Sequence, residues 1–209
     1  MNENDVRKQM TELGLSLFNR GYATGGAGNL SARLPDGGVL LTPTNSSLGR
    51  LVPERLSKLD AAGNHVAGDK PTKEAALHLA LYDKSPDSGA VVHLHSTYLT
   101  ALSCLNCLDA ENVLRPFTPY YVMRVGKLPL VPYFKPGDPR IATETAARAD
   151  KAKAFLLANH GPVVLGKNLV EAVNNAEELE ETAKLHFILA GRDIRYLSDD
   201  EIVELGGKP

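Results

Sequence analysis

Long hydrophobic runs are missing from this chain. No apolar stretch approaches the roughly 20 residues that a membrane-spanning helix requires. The amino-terminal residues MNENDVRKQM are too polar for a secretory signal. We therefore expect no membrane partner and a cytoplasmic location.

An excess of charge of either sign is also missing. The chain has 23 Lys and Arg residues against 25 Asp and Glu residues, which gives a formal net charge of −2. No run of Lys or Arg forms a basic stripe of the kind that binds nucleic acids or anionic membranes. The charge pattern therefore argues against both of these partners.

Cysteine is scarce, and its two copies form a CxxC motif at Cys104 and Cys107. A redox pair of this kind belongs at the mouth of a thioredoxin-like βαβ unit. Here the motif lies in STYLTALSCLNCL, where Leu99, Leu102 and Leu105 recur at helical spacing. We therefore expect inert thiols that pack on a helix and no redox function.

The 209 residues are 43% hydrophobic, enough for one domain covering residues 1–209 and short for two. Apolar periodicity alternates between helical and strand-like segments, which predicts an α/β fold, in the form of an α+β sandwich. The predicted helices are Asp5–Tyr22, Thr72–Lys84, Ile141–Lys151 and Asn168 to about Gly191. The predicted strands are Gly38–Pro43, Ser88–His95 and two within Ala154–Gly166, broken at Asn159–Gly161.

Three of the six histidines fall in places that favour metal binding. His93 and His95 in VVHLHS project from the same face of a strand, because successive side chains alternate. His160 lies at the break between two apolar strands, beside Gly161 and Pro162. Three neutral imidazoles make a facial set for Zn²⁺ and leave the opposite face open for a substrate. The other histidines, His65, His78 and His186, are interpreted as surface or packing residues.

Two acidic features accompany these histidines. Glu74 is the best candidate for an acid or base, at the start of the helix that follows Pro71. The alternative is a solvent-facing glutamate that merely favours the helix dipole. The stretch AEELEETAK in the last helix is interpreted as a solvated side without function, with Leu179, Leu185 and Ile188 turned inward.

Polar stretches rich in Gly or Thr predict phosphate recognition. TGGAGNLS follows a helix and departs from the dinucleotide and P-loop patterns, which leaves an anion-binding loop beside Asn29. Thr72 and Lys73 offer a hydroxyl, backbone N–H groups and a positive charge at a helix start. Together with TPTNSSLG, these stretches predict a small phosphorylated substrate and not a nucleotide.

The order and spacing of TGGAGNLSAR, LLTPTNSSLG, KPTKEAALHLALY, VVHLHSTYLTALS and LLANHGPVV resemble the class II aldolase/adducin family. The resemblance runs from about Val6 to Gly191. RGYATGGAGNLS, HLHSTYLTALS and PFTPYYVMRVGKLPLVPY are most similar to the branch of 3-oxo-tetronate 4-phosphate decarboxylases, and the last stretch discriminates best.

The resemblance implies a central, mostly antiparallel sheet flanked by helices and a homotetramer with its sites at subunit boundaries. It implies zinc held by three histidines, with Glu74 as both resting ligand and acid/base. It also implies one tyrosine in the site, matched by Tyr120 or Tyr121. The implied metal ligands are Glu74, His93, His95 and His160, and the implied phosphate pocket is Asn29, Thr44, Asn45, Thr72 and Lys73.

Two departures from the aldolase members bear on the activity. Those members have Gly where this chain has Asn45 and a serine pair where it has Thr72 and Lys73, and the tail GGKP offers no second tyrosine. The resemblance implies zinc-dependent decarboxylation of 3-oxo-tetronate 4-phosphate to dihydroxyacetone phosphate and CO₂ through a metal-stabilised enediolate. The alternatives are a fuculose-phosphate type aldolase, an adducin-like binding module and a zinc hydrolase. Decarboxylase and aldolase differ in the pocket beyond C2, where we expect Tyr120–Arg124.

Overall fold

A computed structural model describes residues 2–208 and contains one eight-stranded sheet with helices on both faces. The strands are β1 Asn29–Arg33, β2 Val39–Leu41, β3 Ser57–Leu59, β4 His65–Ala67, β5 Ala90–His93, β6 Leu130–Val131, β7 Ala154–Leu157 and β8 Gly161–Gly166. The helices are α1 Glu3–Asn19, α2 Ala75–Lys84, α3 Thr97–Ser103, α4 Pro119–Arg124, α5 Pro139–Ala146, α6 Leu169–Ile188 and α7 Asp199–Glu204.

The strand order is β4-β3-β2-β1-β5-β8-β7-β6, and every neighbouring pair is antiparallel except β6 and β7. This arrangement confirms the expected α/β class with a mostly antiparallel central sheet. β5 lies near the middle, between β1 and β8. The end of β5 therefore adjoins the start of both neighbouring strands, and polar groups from three chain segments can meet there.

Helices cover the two faces of the sheet in separate apolar layers. One layer contains buried residues of α1, α3 and α6, such as Met10, Leu99 and Leu179. The other contains buried residues of α2 and α5, such as Leu81 and Ile141. Alternation along β5 sends Val92 into the first layer and Val91 into the second. His93 therefore faces the layer that contains α2.

Helix α1 illustrates how local sequence sets an element's ends. Asn2 and Asp5 form a capping box, in which each side chain accepts a hydrogen bond from the other's backbone N–H. The helix ends at Asn19, three residues before the predicted Tyr22. Gly21 adopts a φ of 79°, and the Tyr22 N–H donates to the Leu17 carbonyl oxygen. This left-handed glycine stops the helix.

The expected packing of the CxxC motif is wrong. Helix α3 ends at Ser103, so that Cys104 caps the helix and Cys107 lies beyond it in the left-handed region, with a φ of 61°. Both thiols are free and exposed, and Leu105 is 46% exposed. The helical spacing of the leucines continues past the point at which the backbone leaves the helix.

The expected inward face of the last helix is partly wrong. Leu179 is fully buried, but Leu185 is 38% exposed and Ile188 is 60% exposed. Glu180, from the stretch interpreted as solvated, is buried. The buried residues of this 20-residue helix end at Ala183, so the hydrophobic periodicity continues past the part of the helix that the core fully covers.

Within residues 2–208, no helix is both long enough and apolar enough to cross a membrane.

Candidate metal centre

Three histidines from two chain segments converge at the end of β5. His93 is the last residue of β5, His95 follows two residues later, and His160 precedes the first residue of β8. Their candidate ligand atoms all lie within 4.8 Å of one another. The Nε2 atoms of His93 and His95 are 3.2 Å apart. The strand ends earlier than the predicted His95, but the two rings still face the same point.

Hydrogen bonds hold the ring of His93 and the backbone of His160 in place. The Nδ1 atom of His93 lies 2.8 Å from the Pro162 carbonyl oxygen, so Nδ1 carries the proton and leaves the Nε2 lone pair free. The backbone N–H of His160 donates to Ser103 Oγ at 3.2 Å. Gly161 has a φ of 149°, and a Cβ placed there would lie 2.4 Å from the Leu94 carbonyl oxygen. Only glycine permits this approach of the two segments.

Glu74 lies against this cluster and not in solvent. Its side chain is 14% exposed, with Oε2 located 3.4 Å from His93 Nε2 and Oε1 located 3.7 Å from His160 Nε2. Glu74 is the residue that caps helix α2, one position before the helix begins. The structure therefore contradicts the alternative in which Glu74 serves only the helix dipole at the surface.

The two oxygens of Glu74 have different environments. Oε2 accepts a hydrogen bond of 2.7 Å from Asn29 Nδ2. Oε1 is buried and has no hydrogen-bond partner among residues 2–208. A buried, unpaired carboxylate oxygen is unfavourable unless a positive group completes its environment. Three imidazole nitrogens beside such an oxygen fit a divalent cation.

The titration behaviour of the cluster agrees with this fit. Burial lowers the pKa values of His93 and His95, and it lowers the pKa of His160 to about 4. Burial would raise the pKa of Glu74, but the adjacent His93 and the hydrogen bond from Asn29 outweigh it, and that pKa falls to about 2. At neutral pH the set therefore comprises three neutral imidazoles and a carboxylate, the protonation states that bind metal.

The structure brings the segments of the predicted phosphate pocket together. The Thr44 N–H donates to the Lys70 carbonyl oxygen at 2.9 Å, and the Thr72 N–H donates to the Thr42 carbonyl oxygen at 3.2 Å. These two segments therefore run side by side next to the start of β1. Thr72 is buried, Thr44 is half-buried, and Asn45 and Lys73 are exposed.

Asn29 has a contact that the sequence interpretation did not include. Its amide is already engaged by Glu74 and by His78, whose Nε2 lies 2.5 Å from Asn29 Oδ1. One amide N–H remains for a ligand. The glycine-rich loop before it packs closely, since a Cβ on Gly28 would lie 3.0 Å from the His93 carbonyl oxygen.

The two candidate tyrosines have different environments. Tyr121 is fully buried, and its hydroxyl donates to the Leu114 carbonyl oxygen at 3.2 Å. Tyr120 is 60% exposed on α4. Among the described residues, no hydrogen bond or ring contact joins Tyr120 to the histidine cluster. Tyr121 is thus a core residue of this chain, and only Tyr120 remains free to reach a substrate.

Sequence reasoning missed two buried polar residues near the site. His78 is fully buried beside Asn29, one helical turn after Glu74, and this spacing was the available signal. Glu180 accepts hydrogen bonds from Ser96 Oγ at 2.7 Å and from the Tyr98 N–H at 2.7 Å. Glu180 lies four residues after the buried Ala176 and therefore on the apolar side of α6. This position in the helical pattern was the signal that could have predicted its burial.

Comparisons with known proteins agree with the fold. A relative from Escherichia coli K12, named 3-oxo-tetronate 4-phosphate decarboxylase, is 63% identical over 203 residues, covering 97% of this chain and 96% of its own. The crystal structure of YgbL from Klebsiella pneumoniae is 58% identical, with a TM-score of 0.96 and coverage of 98% of this chain and 99% of that chain. An L-fuculose phosphate aldolase from Methanocaldococcus jannaschii is 38% identical over 179 residues, covering 86% of this chain and 94% of its own.

The family described as Class II Aldolase and Adducin N-terminal domain matches residues 8–187. That span includes all of the candidate metal ligands and both segments beside Asn29. The chain therefore belongs to the class II aldolase and adducin N-terminal domain family.

Proposed function

We propose that this protein is a metal-dependent carboxy-lyase that converts 3-oxo-tetronate 4-phosphate to dihydroxyacetone phosphate and CO₂. The observation that carries the proposal is the buried, unpaired Oε1 of Glu74 facing three neutral imidazoles. An adducin-like scaffold has no use for such a costly arrangement. The name of the E. coli relative, which matches almost the whole chain at 63% identity, specifies the substrate.

The chemistry of this substrate explains what the site must do. The carboxylate at C1 is β to the ketone at C3. When the C1–C2 bond breaks, its electron pair passes through C2 into the C3 carbonyl and CO₂ leaves. A proton then bonds to C2, and the product is dihydroxyacetone phosphate. Catalysis therefore requires charge stabilisation at oxygen and a proton source beside C2.

Zinc is the proposed cofactor, held by His93, His95, His160 and Glu74. Three imidazole nitrogens and one carboxylate oxygen make a four-ligand set suited to Zn²⁺. When bound, the cation supplies a Lewis acid that stabilises negative charge developing on the substrate. Zinc content per purified chain tests this proposal, and we expect His95→Ala to lower it while the exposed His65→Ala leaves it unchanged. Equal zinc in both variants would contradict the ligand assignment.

Glu74 is the proposed acid/base. It is ionised at rest, so it takes a proton from solvent water and passes it to C2, or it orients the water that does so. The hydrogen bond from Asn29 holds Oε2 beside His93 and leaves Oε1 without a hydrogen-bond donor beside His160. One carboxylate thus serves as a resting ligand and as the proton carrier.

The phosphate group of the substrate is assigned to Asn29, Thr44, Asn45, Thr72 and Lys73. The close pairing of the segments that contain Thr44 and Thr72 supports this assignment. Lys73 adds a positive charge directly before Glu74. A phosphate at this position would place the reacting carbons of a four-carbon acid toward the histidines.

A class II sugar-phosphate aldolase is the second candidate function, favoured by the 38% identity to the M. jannaschii aldolase. An aldolase makes the same electron-rich intermediate by expelling an aldehyde in place of CO₂, so the metal centre serves both reactions. The distinction lies beyond C2, where we place Tyr120 and the rest of α4. Tyr120 is 60% exposed and makes no hydrogen bond or ring contact with the histidine cluster among the described residues, so we place it at the site of a neighbouring subunit.

A coupled assay for dihydroxyacetone phosphate tests the proposal. Purified protein is given 3-oxo-tetronate 4-phosphate or fuculose 1-phosphate, each with and without a chelator. We expect turnover of the oxo acid with release of CO₂, abolished by the chelator and restored by added Zn²⁺. Cleavage of fuculose 1-phosphate alone would establish the aldolase alternative, and turnover of neither compound would contradict both enzyme proposals.

A further inference from the structure

A buried chain of hydrogen-bonded polar side chains leads from Tyr82, near the carboxyl end of α2, to Glu74. Tyr82 Oη lies 2.8 Å from Ser31 Oγ, which lies 2.7 Å from His78 Nδ1. His78 Nε2 lies 2.5 Å from Asn29 Oδ1, and Asn29 Nδ2 lies 2.7 Å from Glu74 Oε2. Ser31 and His78 are fully buried, and Tyr82 is 3% exposed. This chain of polar side chains crosses an apolar layer. Hydrophobic side chains in the same positions would stabilise the layer at least as well as these polar ones do.

The direction of every hydrogen bond in this chain follows from the carboxylate. An ionised Glu74 only accepts, so Asn29 must present its NH₂ group to Glu74 and its oxygen to His78. His78 must then carry its proton on Nε2, because an amide oxygen only accepts. Nδ1 of the neutral ring is left as an acceptor for the Ser31 hydroxyl, and Ser31 in turn accepts from Tyr82. Burial lowers the pKa of His78 to about 3, which keeps the ring neutral.

We propose that His78 is a positioning residue for Glu74 and acts through Asn29. The His78 Nε2–H holds the Asn29 oxygen on the side away from the metal centre. The Asn29 NH₂ is thereby fixed toward Glu74 Oε2, which lies 3.4 Å from His93 Nε2, and Oε1 is held 3.7 Å from His160 Nε2. The inference rests on the proposed role of Glu74 but does not depend on the identity of the substrate.

Loss of the hydrogen bond from His78 Nε2–H should change the positions of Asn29 and Glu74. Without it, the Asn29 oxygen loses its hydrogen-bond partner in the buried layer, and only the contact with Glu74 holds the amide. The amide and the Glu74 carboxylate can then shift together, which moves the carboxylate relative to the histidines. Partners that orient metal ligands change metal affinity or activity by roughly 10–100-fold when they are removed.

The test uses Co²⁺ as a probe, because its visible spectrum reports the number and arrangement of its ligands. His78→Leu removes the donor, whereas His78→Gln places an amide N–H near the position of Nε2. We expect His78→Leu to weaken Co²⁺ binding about tenfold and to change the spectrum. We expect His78→Gln to restore most of the affinity and the original spectrum. Affinity is measured by competition with a chelator, and no substrate is needed.

A matched core variant separates positioning from stability. Leu81 is fully buried on the same helix, and Leu81→Ala removes core packing without touching the polar chain. We expect Leu81→Ala to lower the unfolding temperature and leave the Co²⁺ spectrum unchanged. A spectral change in Leu81→Ala equal to that in His78→Leu would overturn the proposal. So would unchanged Co²⁺ binding in His78→Leu, or failure of His78→Gln to restore binding.

Ser31→Ala provides a second route if His78→Leu does not fold. It removes only the hydroxyl that donates to Nδ1, so the ring can change tautomer and release Asn29. We expect a weaker version of the same spectral change, and an unchanged spectrum would overturn the proposal. Absence of turnover in the unaltered protein, with these Co²⁺ results intact, would contradict the proposed function alone. Absence of Co²⁺ binding by the unaltered protein would overturn both.

Discussion

At the scale of single residues, the site is defined by how each polar atom is satisfied. Glu74 combines one hydrogen-bonded oxygen with one that has no hydrogen-bond partner among residues 2–208. His93 uses Nδ1 on the backbone and therefore presents Nε2. These contacts determine which nitrogen and oxygen atoms remain available to bind a metal.

Glu74→Gln should abolish most of the activity while preserving the fold. Glutamine keeps the size of the side chain and an oxygen that can accept from Asn29, but it cannot carry a proton in the same way. We expect kcat to fall at least about 100-fold with KM changed little, since acid–base groups contribute roughly 10²–10⁴-fold. Steady-state kinetics measure both, and Glu204→Gln, on the exposed side of α7, is the control. Near-normal kcat would remove Glu74 from the mechanism.

The buried His78 predicts that the protein loses stability as the pH falls below neutrality. Its folded pKa is about 3, while a histidine in the unfolded chain titrates near 6.5. Between these values the unfolded state binds the extra proton, so stability decreases as pH falls through this range. From pH 6.5 to pH 5, this one group should contribute a loss of about 2 kcal/mol.

Chemical denaturation of the metal-free protein at several pH values measures this slope. His78→Gln lacks the titrating group, so its free energy of unfolding should decrease less over the same interval. Identical slopes for the two proteins would show that His78 does not control the acid sensitivity.

At the scale of elements, strand ends determine where the ligands lie. β5 and β8 are antiparallel neighbours, so the residues after the end of β5 adjoin the residues before β8. His95 and His160 meet for this reason, although 64 residues separate them in the numbering of the chain. The amino end of α3 follows directly, and Glu180 from α6 accepts its free N–H groups in place of a side-chain cap from Ser96.

Gly161→Ala should disrupt the junction of β5 and β8. The added Cβ would lie 2.4 Å from the Leu94 carbonyl oxygen, which belongs to the backbone and cannot rotate away. We expect a loss of about 2–4 kcal/mol in the free energy of unfolding and weaker metal binding, because His93, His95 and His160 all flank this contact. Gly191→Ala is the control, as its φ of 74° is also positive but no atom lies within 4 Å of its Cβ. Equal effects in the two variants would mean that backbone conformation, and not crowding, limits this position.

At the scale of the whole molecule, exposed apolar side chains lie on neighbouring helices. Met123 on α4 is 57% exposed, and Ile188 at the end of α6 is 60% exposed, with Tyr120 and Leu185 beside them on the same two helices. Such a surface favours an interface. We propose that it joins subunits of a homotetramer and brings Tyr120 to a neighbouring site.

Ile188→Asp should break this association. A charge at an apolar interface remains unpaired and desolvated, so we expect the mass in solution to fall from four times the 22.5 kDa chain to a smaller species. Light scattering after size-exclusion chromatography measures the mass, and Val203→Asp, exposed on α7, serves as the control. Activity should fall together with the mass if Tyr120 acts across the boundary. A tetramer that persists in Ile188→Asp would show that Ile188 does not lie in the subunit interface.

The local sequence is sufficient to predict the periodic elements, the alternation that aligns His93 with His95 and the placement of His160 at a strand break. Each of these follows from local geometry, since neighbouring residues along a strand or helix decide them. The order of motifs is also sufficient to indicate the family, which the family match over residues 8–187 confirms.

Contacts between distant parts of the chain determine which polar residues are buried and which apolar residues are exposed. Glu74, His78 and Glu180 became buried because β1 or α3, distant in the chain, supplied their partners. Ile188 is exposed because it lies beyond Ala183, the last residue of α6 that the core buries. The physical reason is the same in both cases. Burial depends on contacts between residues far apart in sequence, and a local pattern carries no information about which of those contacts will form.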